Sequence, residues 1–142
     1  MIRSDHALIG TTIHRVAQLI QRRIDDEIRD TGLTRVTWIA AAHVDDAPGL
    51  TISELARRLK VGNASAGQLV DRMVRDGWVE RSTAPGNRRA QIVTPTDKAR
   101  SALQELDGRQ RALEELILQD LSSQERQVLL MLLERIRVRL SG

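Results

Sequence analysis

Apolar residues recur at three- and four-residue intervals through most of the chain, and alternate with polar ones in one short part of it. Over residues 8–30, Ile9, Ile13, Val16, Ile20, Ile24 and Ile28 form a stripe that Leu19 widens, so this segment is predicted as a long amphipathic helix. Thr31-Gly32 ends it. Thr34 is placed to cap a second helix carrying Val36, Trp38, Ile39, Ala42 and Val44, and Asp45-Asp46-Ala47-Pro48-Gly49 closes that helix as a turn. Next come two shorter helices. The first opens at Thr51 with Glu54 three residues on, the capping-box spacing, and Ile52, Leu55, Ala56 and Leu59 give it one apolar face. Val61-Gly62-Asn63 breaks the pattern. The second carries Ala66, Leu69, Val70 and Met73 on its buried side, shows Asn63, Ser65, Gln68, Arg72 and Arg75 on the other, and ends at Asp76-Gly77.

The period then changes. Trp78-Val79-Glu80-Arg81 and Ala90-Gln91-Ile92-Val93-Thr94 alternate as half-buried strands do. Residues 82–89 between them, with Pro85, Gly86 and Asn87, are predicted as a loop with Arg88 and Arg89 at its tip. Leu50 is expected to add one residue of a third strand. Thr94-Pro95 reads as a helix start, with Thr94 as cap and Pro95 at the first position. The long helix that follows runs through Ala99, Leu103, Leu106, Leu113, Leu116 and Ile117, with Gly108 as its weak point. Ser122 and Glu125 repeat the capping-box spacing, and the last helix carries Val128, Leu129, Leu132, Leu133, Ile136 and Leu140, more apolar residues than one contact face requires. Burying such stripes gains roughly 25 cal/mol per Å² of apolar area, so a homodimer made by the two ends of the chain is expected.

Helix, turn, helix and basic hairpin make a winged helix-turn-helix. The expected fold is mainly α with a small antiparallel β wing: an N-terminal dimerisation helix over 1–32, a DNA-binding domain over 33–95 and C-terminal dimerisation helices over 96–142. The helix after the turn is sized for the major groove of B-DNA and offers short polar side chains and arginines to it. Guanidiniums at the wing tip suit an adjacent narrow minor groove. A two-fold dimer presents two such helices about one helical turn apart, so the expected partner is double-stranded DNA with a near-palindromic site.

Composition narrows the alternatives. There is no Phe and no Tyr, so Trp38 and Trp78 are the only large rings of an aliphatic core, and the stacking platforms of single-strand binders are missing. Cys is absent, which excludes disulfides, cysteine–zinc sites and thiol-based sensing. No apolar run approaches the roughly 18 residues that span a bilayer. The first six residues lack the apolar core of a signal peptide, so a cytoplasmic protein is expected. The net charge is only +3, but residues 51–94 hold eight basic and four acidic residues, a basic patch of +4 on a near-neutral body.

These residues resemble the multiple-antibiotic-resistance regulator (MarR) family of bacterial transcription factors. The resemblance lies in Ile52-Ser53-Glu54-Leu55-Ala56-Arg57-Arg58-Leu59, Leu69-Val70-Asp71-Arg72-Met73, Asp76-Gly77-Trp78-Val79-Glu80-Arg81, Asn87-Arg88-Arg89-Ala90 and Val93-Thr94-Pro95-Thr96-Asp97-Lys98. It extends upstream to Leu33-Thr34 and Trp38. It implies base reading by Gln68, phosphate contacts from Ser65 and Arg72, and a minor-groove arginine at Arg88. The family usually has Asp where Asn87 stands, paired with the Arg two residues on, here Arg89; Asn turns a charge-assisted pair into a neutral contact. The family's habit of repression released by small aromatic acids implies a carboxylate-binding role for Arg15, with His14, Trp38 and His43 lining the same cleft. No cofactor is implied.

Three other readings compete. No Gly-rich phosphate loop, nucleophile motif or close carboxylate pair supports an enzyme, and no catalytic residue is assigned. His6, His14, His43, Asp45 and Asp46 would suit a metal-responsive winged-helix regulator by type, but no pair has tight ligand spacing and no metal site is assigned. A winged-helix protein-interaction module would need neither the polar helix face nor the basic wing tip.

Overall fold

A computed structural model describes residues 5–142, with side chains from residue 8 onward. The fold is mostly helical, with a two-stranded antiparallel wing. The order is α1 (Asp5–Asp30), α2 (Arg35–Asp46), α3 (Ile52–Leu59), α4 (Asn63–Arg75), β1 (Val79–Ala84), β2 (Asn87–Pro95), α5 (Asp97–Leu118) and α6 (Ser123–Leu140). The chain forms two compact units, Met1–Asp107 and Gly108–Gly142. No helix among the described residues is long and apolar enough to cross a membrane.

The helix starts are set by short-range chemistry. Thr51 N–H donates to Glu54 Oε2 at 2.9 Å while Glu54 N–H donates to Thr51 Oγ1 at 3.2 Å, so the box predicted there closes reciprocally. Ser122 and Glu125 do the same for α6. Thr34 caps α2 with Thr37, whose hydroxyl replaces the usual carboxylate. Boundaries differ in four places. The first helix begins at Asp5 rather than near Leu8, and Asp45 and Asp46 are the last residues of α2 rather than part of the turn. The left-handed residue between α3 and α4 is Lys60, with φ 57°, not the nearby Gly62; Asn63 is the first residue of α4. Pro95 ends β2, and the cap of α5 is Thr96, whose hydroxyl accepts the Ala99 N–H at 3.2 Å.

The wing is longer than its alternation suggests. The strands pair from Val79↔Pro95 to Thr83↔Gln91, then jump to Ala84↔Asn87, so only Pro85 and Gly86 form the turn. The segment predicted as a loop over 82–89 is mostly strand. Its side chains are exposed on both faces, so burial imposes no period of two. The jump leaves Arg88, Arg89 and Ala90 as a bulge without counterparts on β1. The third strand is a single bridge, Thr51↔Ile92, with Val93 N–H donating to Leu50 O at 2.9 Å.

The core of the first unit lies between α2, α3, α4, the wing and the start of α5. Leu55, Met73, Val70, Val44, Val79, Val93 and Leu106 are its largest fully buried side chains. Full burial of each is worth about 1.5–3 kcal/mol, enough to fix α4 on its bed. Trp78 is buried, whereas Trp38 is half-buried and packs against the core. In the second unit Arg126 donates to Leu121 O at 3.0 Å and Leu118 O at 2.7 Å, closing the end of α5. No side chain of α6 is buried.

Candidate nucleic-acid interface

The candidate surface is built on α4. Its buried residues, Ala66, Leu69, Val70 and Met73, fix which way the helix faces. At about 100° per residue, Ser65, Gln68, Arg72 and Arg75 fall within roughly 80° of one another, on the outer side. All four are exposed, as is Asn63, which stands in the first turn off that stripe. None of these five side chains makes a hydrogen bond or ion pair among the described residues. The start of the helix is also open. Gly62 precedes it and supplies no side-chain cap, in contrast to Thr34, Thr51 and Ser122. The first N–H groups of α4 are therefore without a side-chain acceptor.

The acid on this helix is neutralised from the wing. Arg81 Nη1 lies 2.7 Å from Asp71 Oδ1, and Arg81 Nη2 donates to Gly67 O at 3.4 Å. The end of the helix is held by the head of α5. Gly77, at φ +79°, turns the chain out of α4. Lys98 Nζ donates to Asp76 O at 2.7 Å and lies 4.1 Å from the centroid of the Trp78 ring. The Thr96 hydroxyl donates to Gly77 O at 2.7 Å, and the Thr96 N–H donates to Trp78 O at 3.1 Å. Arg81, Thr96 and Lys98 stand in the stretches that carry the family resemblance, but the sequence assigns them no role at the site. Only the topology that brings β1 beside α4, and α5 beneath its end, reveals them.

At the wing tip Arg88 and Arg89 are exposed in the bulge, their guanidiniums without a partner among the described residues. Asn87 does not bond the Arg89 side chain. Its Oδ1 accepts the Arg89 backbone N–H at 3.1 Å, so it orders the bulge rather than steering the guanidinium.

The residues suggested for an effector are spread over two helices. His14 and Arg15 are exposed on α1, while Trp38 and His43 are half-buried on α2. The first unit has hollows on its surface, two of them lined by described residues of α2, α3 and α4 or the turn before α3. One of about 390 Å³ has a floor of Val36, Ile39, Leu59, Val61 and Leu69, edged by Arg58, Ser65 and Arg72. The other, of about 410 Å³, is lined by residues 47–50, Glu54, Arg57 and Arg58. Neither includes the four suggested residues. Among the described residues no group of three or more His, Cys, Asp or Glu side chains is placed to hold a metal ion, and His6 lies outside the described side chains.

Residues 31–90 match the MarR family model, a span from the end of α1 to the wing tip. The HTH-type transcriptional regulator YybA of Bacillus subtilis (strain 168), itself uncharacterized, is 24% identical over 129 residues, covering 88% of this chain and 86% of its own length. The crystal structure of YusO from Bacillus subtilis superposes with a TM-score of 0.79 at 20% identity, covering 98% of both chains. A mutant MarR from E. coli complexed with operator DNA gives 0.68 at 24% identity, over 90% of this chain and 92% of that one. The matched segment holds α4, β1 and the wing tip with its arginines, and the likeness of fold extends over nearly the whole chain: the fold is the winged helix-turn-helix of these solved structures.

Proposed function

We propose that the chain is a sequence-specific DNA-binding transcriptional regulator that works as a homodimer on a near-palindromic double-stranded operator. The observation that carries this is the outer face of α4. Four exposed polar and basic side chains lie in one stripe with no intramolecular partner among the described residues, while Asp71, the acid within α4, is tied to Arg81. Gln68 suits an adenine edge, which its amide can meet bidentately. Ser65, Arg72, Arg75 and the open N–H groups at Asn63 suit phosphates, and Arg88 and Arg89 suit the neighbouring minor groove. The dimer is supported by the exposed apolar residues of the end helices. Leu130 is 70% and Leu140 is 81% exposed on α6, and Leu8, Ile9, Val16 and Leu19 are exposed on α1. Repression relieved by a small aromatic carboxylate is supported by Arg15, an exposed guanidinium without a partner among the described residues, and by the MarR-family fold.

The test is selection from random double-stranded DNA at two salt concentrations. An enriched inverted repeat with half-sites about ten base pairs apart is expected. Binding that is salt-sensitive but enriches no sequence would overturn the proposal, because phosphate contact alone gives that result. The recovered site then allows aromatic carboxylates to be screened for release, with Arg15→Ala expected to abolish any response.

A further inference from the structure

The C-terminal end of a helix leaves backbone carbonyls without intrahelical partners and carries partial negative charge. At α4 the backbone N–H groups of Asp76, Trp78 and Gly77 meet the carbonyls of Arg72, Met73 and Val74, and the next three carbonyls beyond the helix, those of Asp76, Gly77 and Trp78, are taken by Thr96 and Lys98 at the head of α5. Lys98 does two things there at once. Its ammonium donates to Asp76 O, and it lies over the face of Trp78, a ring that is 4% exposed and so cannot shift without moving the core. Gly77 between them takes the left-handed turn, at φ +79°, that brings the chain from α4 to Trp78. The lysine is therefore a strut between a fixed ring and Asp76, the residue that caps the end of α4.

We propose that Lys98 is a positioning residue for the recognition helix: it sets the angle at which α4 presents Gln68 and its neighbours to bases, without itself contacting DNA. The proposal rests on the DNA-binding reading above. Leverage makes the angle matter. Gln68 lies eight residues before Asp76, about 12 Å along the helix, so a tilt of about 6° at the held end displaces it by about 1.3 Å. A shift of that size takes a 2.9 Å hydrogen bond out of range, whereas charge attraction to phosphates barely changes. Releasing the strut should thus weaken specific binding and leave non-specific binding intact.

The experiment compares K98M and K98R, each in a W38F background so that Trp78 is the sole emitter. Circular dichroism and thermal unfolding check the fold. Trp78 emission and affinity for both the selected site and an unrelated duplex are then measured. K98M is expected to shift Trp78 emission and bind the selected site about tenfold more weakly, the size of one charged hydrogen bond lost, while the unrelated duplex is bound within about twofold of W38F alone. K98R keeps the donor and the cation over the ring, and is expected to restore both emission and specific affinity. Equal losses on the two duplexes would make Lys98 a phosphate contact and overturn the proposal. Specific binding unchanged in K98M, or not rescued in K98R, would overturn it too. If the parent chain selects no site at all, the DNA-binding reading fails first and this role falls with it.

Discussion

Arg88→Ala separates the wing's electrostatics from its folding. Arg88 lies in the bulge, exposed and without a partner among the described residues, so its removal should change stability by no more than about 0.5 kcal/mol. Its effect should appear in the salt dependence of binding. Each phosphate neutralised contributes roughly 0.9 to the slope of log K against log salt, so losing one contact changes the ratio of affinities between 50 and 200 mM salt by about 3.5-fold. Two wings acting in a symmetric dimer would double the slope change and give about 12-fold. The assay is fluorescence anisotropy on the selected duplex at four salt concentrations. Arg29→Ala serves as the control, since Arg29 stands on α1 and pairs with Asp26 at 3.5 Å. A slope lowered by about 1.8 supports two wings on DNA, and one lowered by about 0.9 supports one. An unchanged slope with an unchanged melting temperature would remove the wing tip from the interface.

Three further outcomes are expected. Thr51→Ala breaks the capping box of α3 and should cost about 1 kcal/mol, read as a melting temperature lowered by a few degrees with helix content retained. Leu132→Glu places a charge among the exposed apolar residues of α6; sedimentation should show a monomer, and the dependence of unfolding on protein concentration should disappear. Asn87→Ala removes the acceptor of the Arg89 N–H, so specific DNA binding should weaken about threefold with stability unchanged within about 0.5 kcal/mol, whereas Asn87→Asp should retain it.

The helices were legible in the sequence because their signals are local. Thr34, Thr51 and Ser122 each meet a partner three residues on, and the apolar period of α4 coincides with its buried residues, whereas on α2 Ala40, Ala41 and Val44 are buried while Val36, Ile39 and Ala42 are exposed. Local signals also explain the misplacements. Thr94-Pro95 and Thr96-Asp97 offer two helix starts two residues apart. The choice falls to Thr96 because its hydroxyl also reaches Gly77 O, nineteen residues away in the chain. The outer wing has the sequence of a loop because strands exposed on both faces have no burial period to show. The stripe on α4 could be anticipated from its spacing, but the partners that hold it could not. Arg81 and Lys98 act across 10 and 22 residues of sequence, on Asp71 and on the Asp76 carbonyl, and nothing in either neighbourhood names those partners.

The bulge at the wing tip has a consequence for association. The outer edge of β1 has no strand beside it, since the sheet holds two strands and the bridge from Thr51 falls on β2. A bare edge is a template on which another chain can add a strand. Here the edge carries Glu80 and Arg81, its last pair is out of step, and Pro85 follows directly. An incoming strand would find few carbonyls and amides in register and two charges in its way. The kink that brings two arginines to the surface also makes the hairpin a poor place to aggregate.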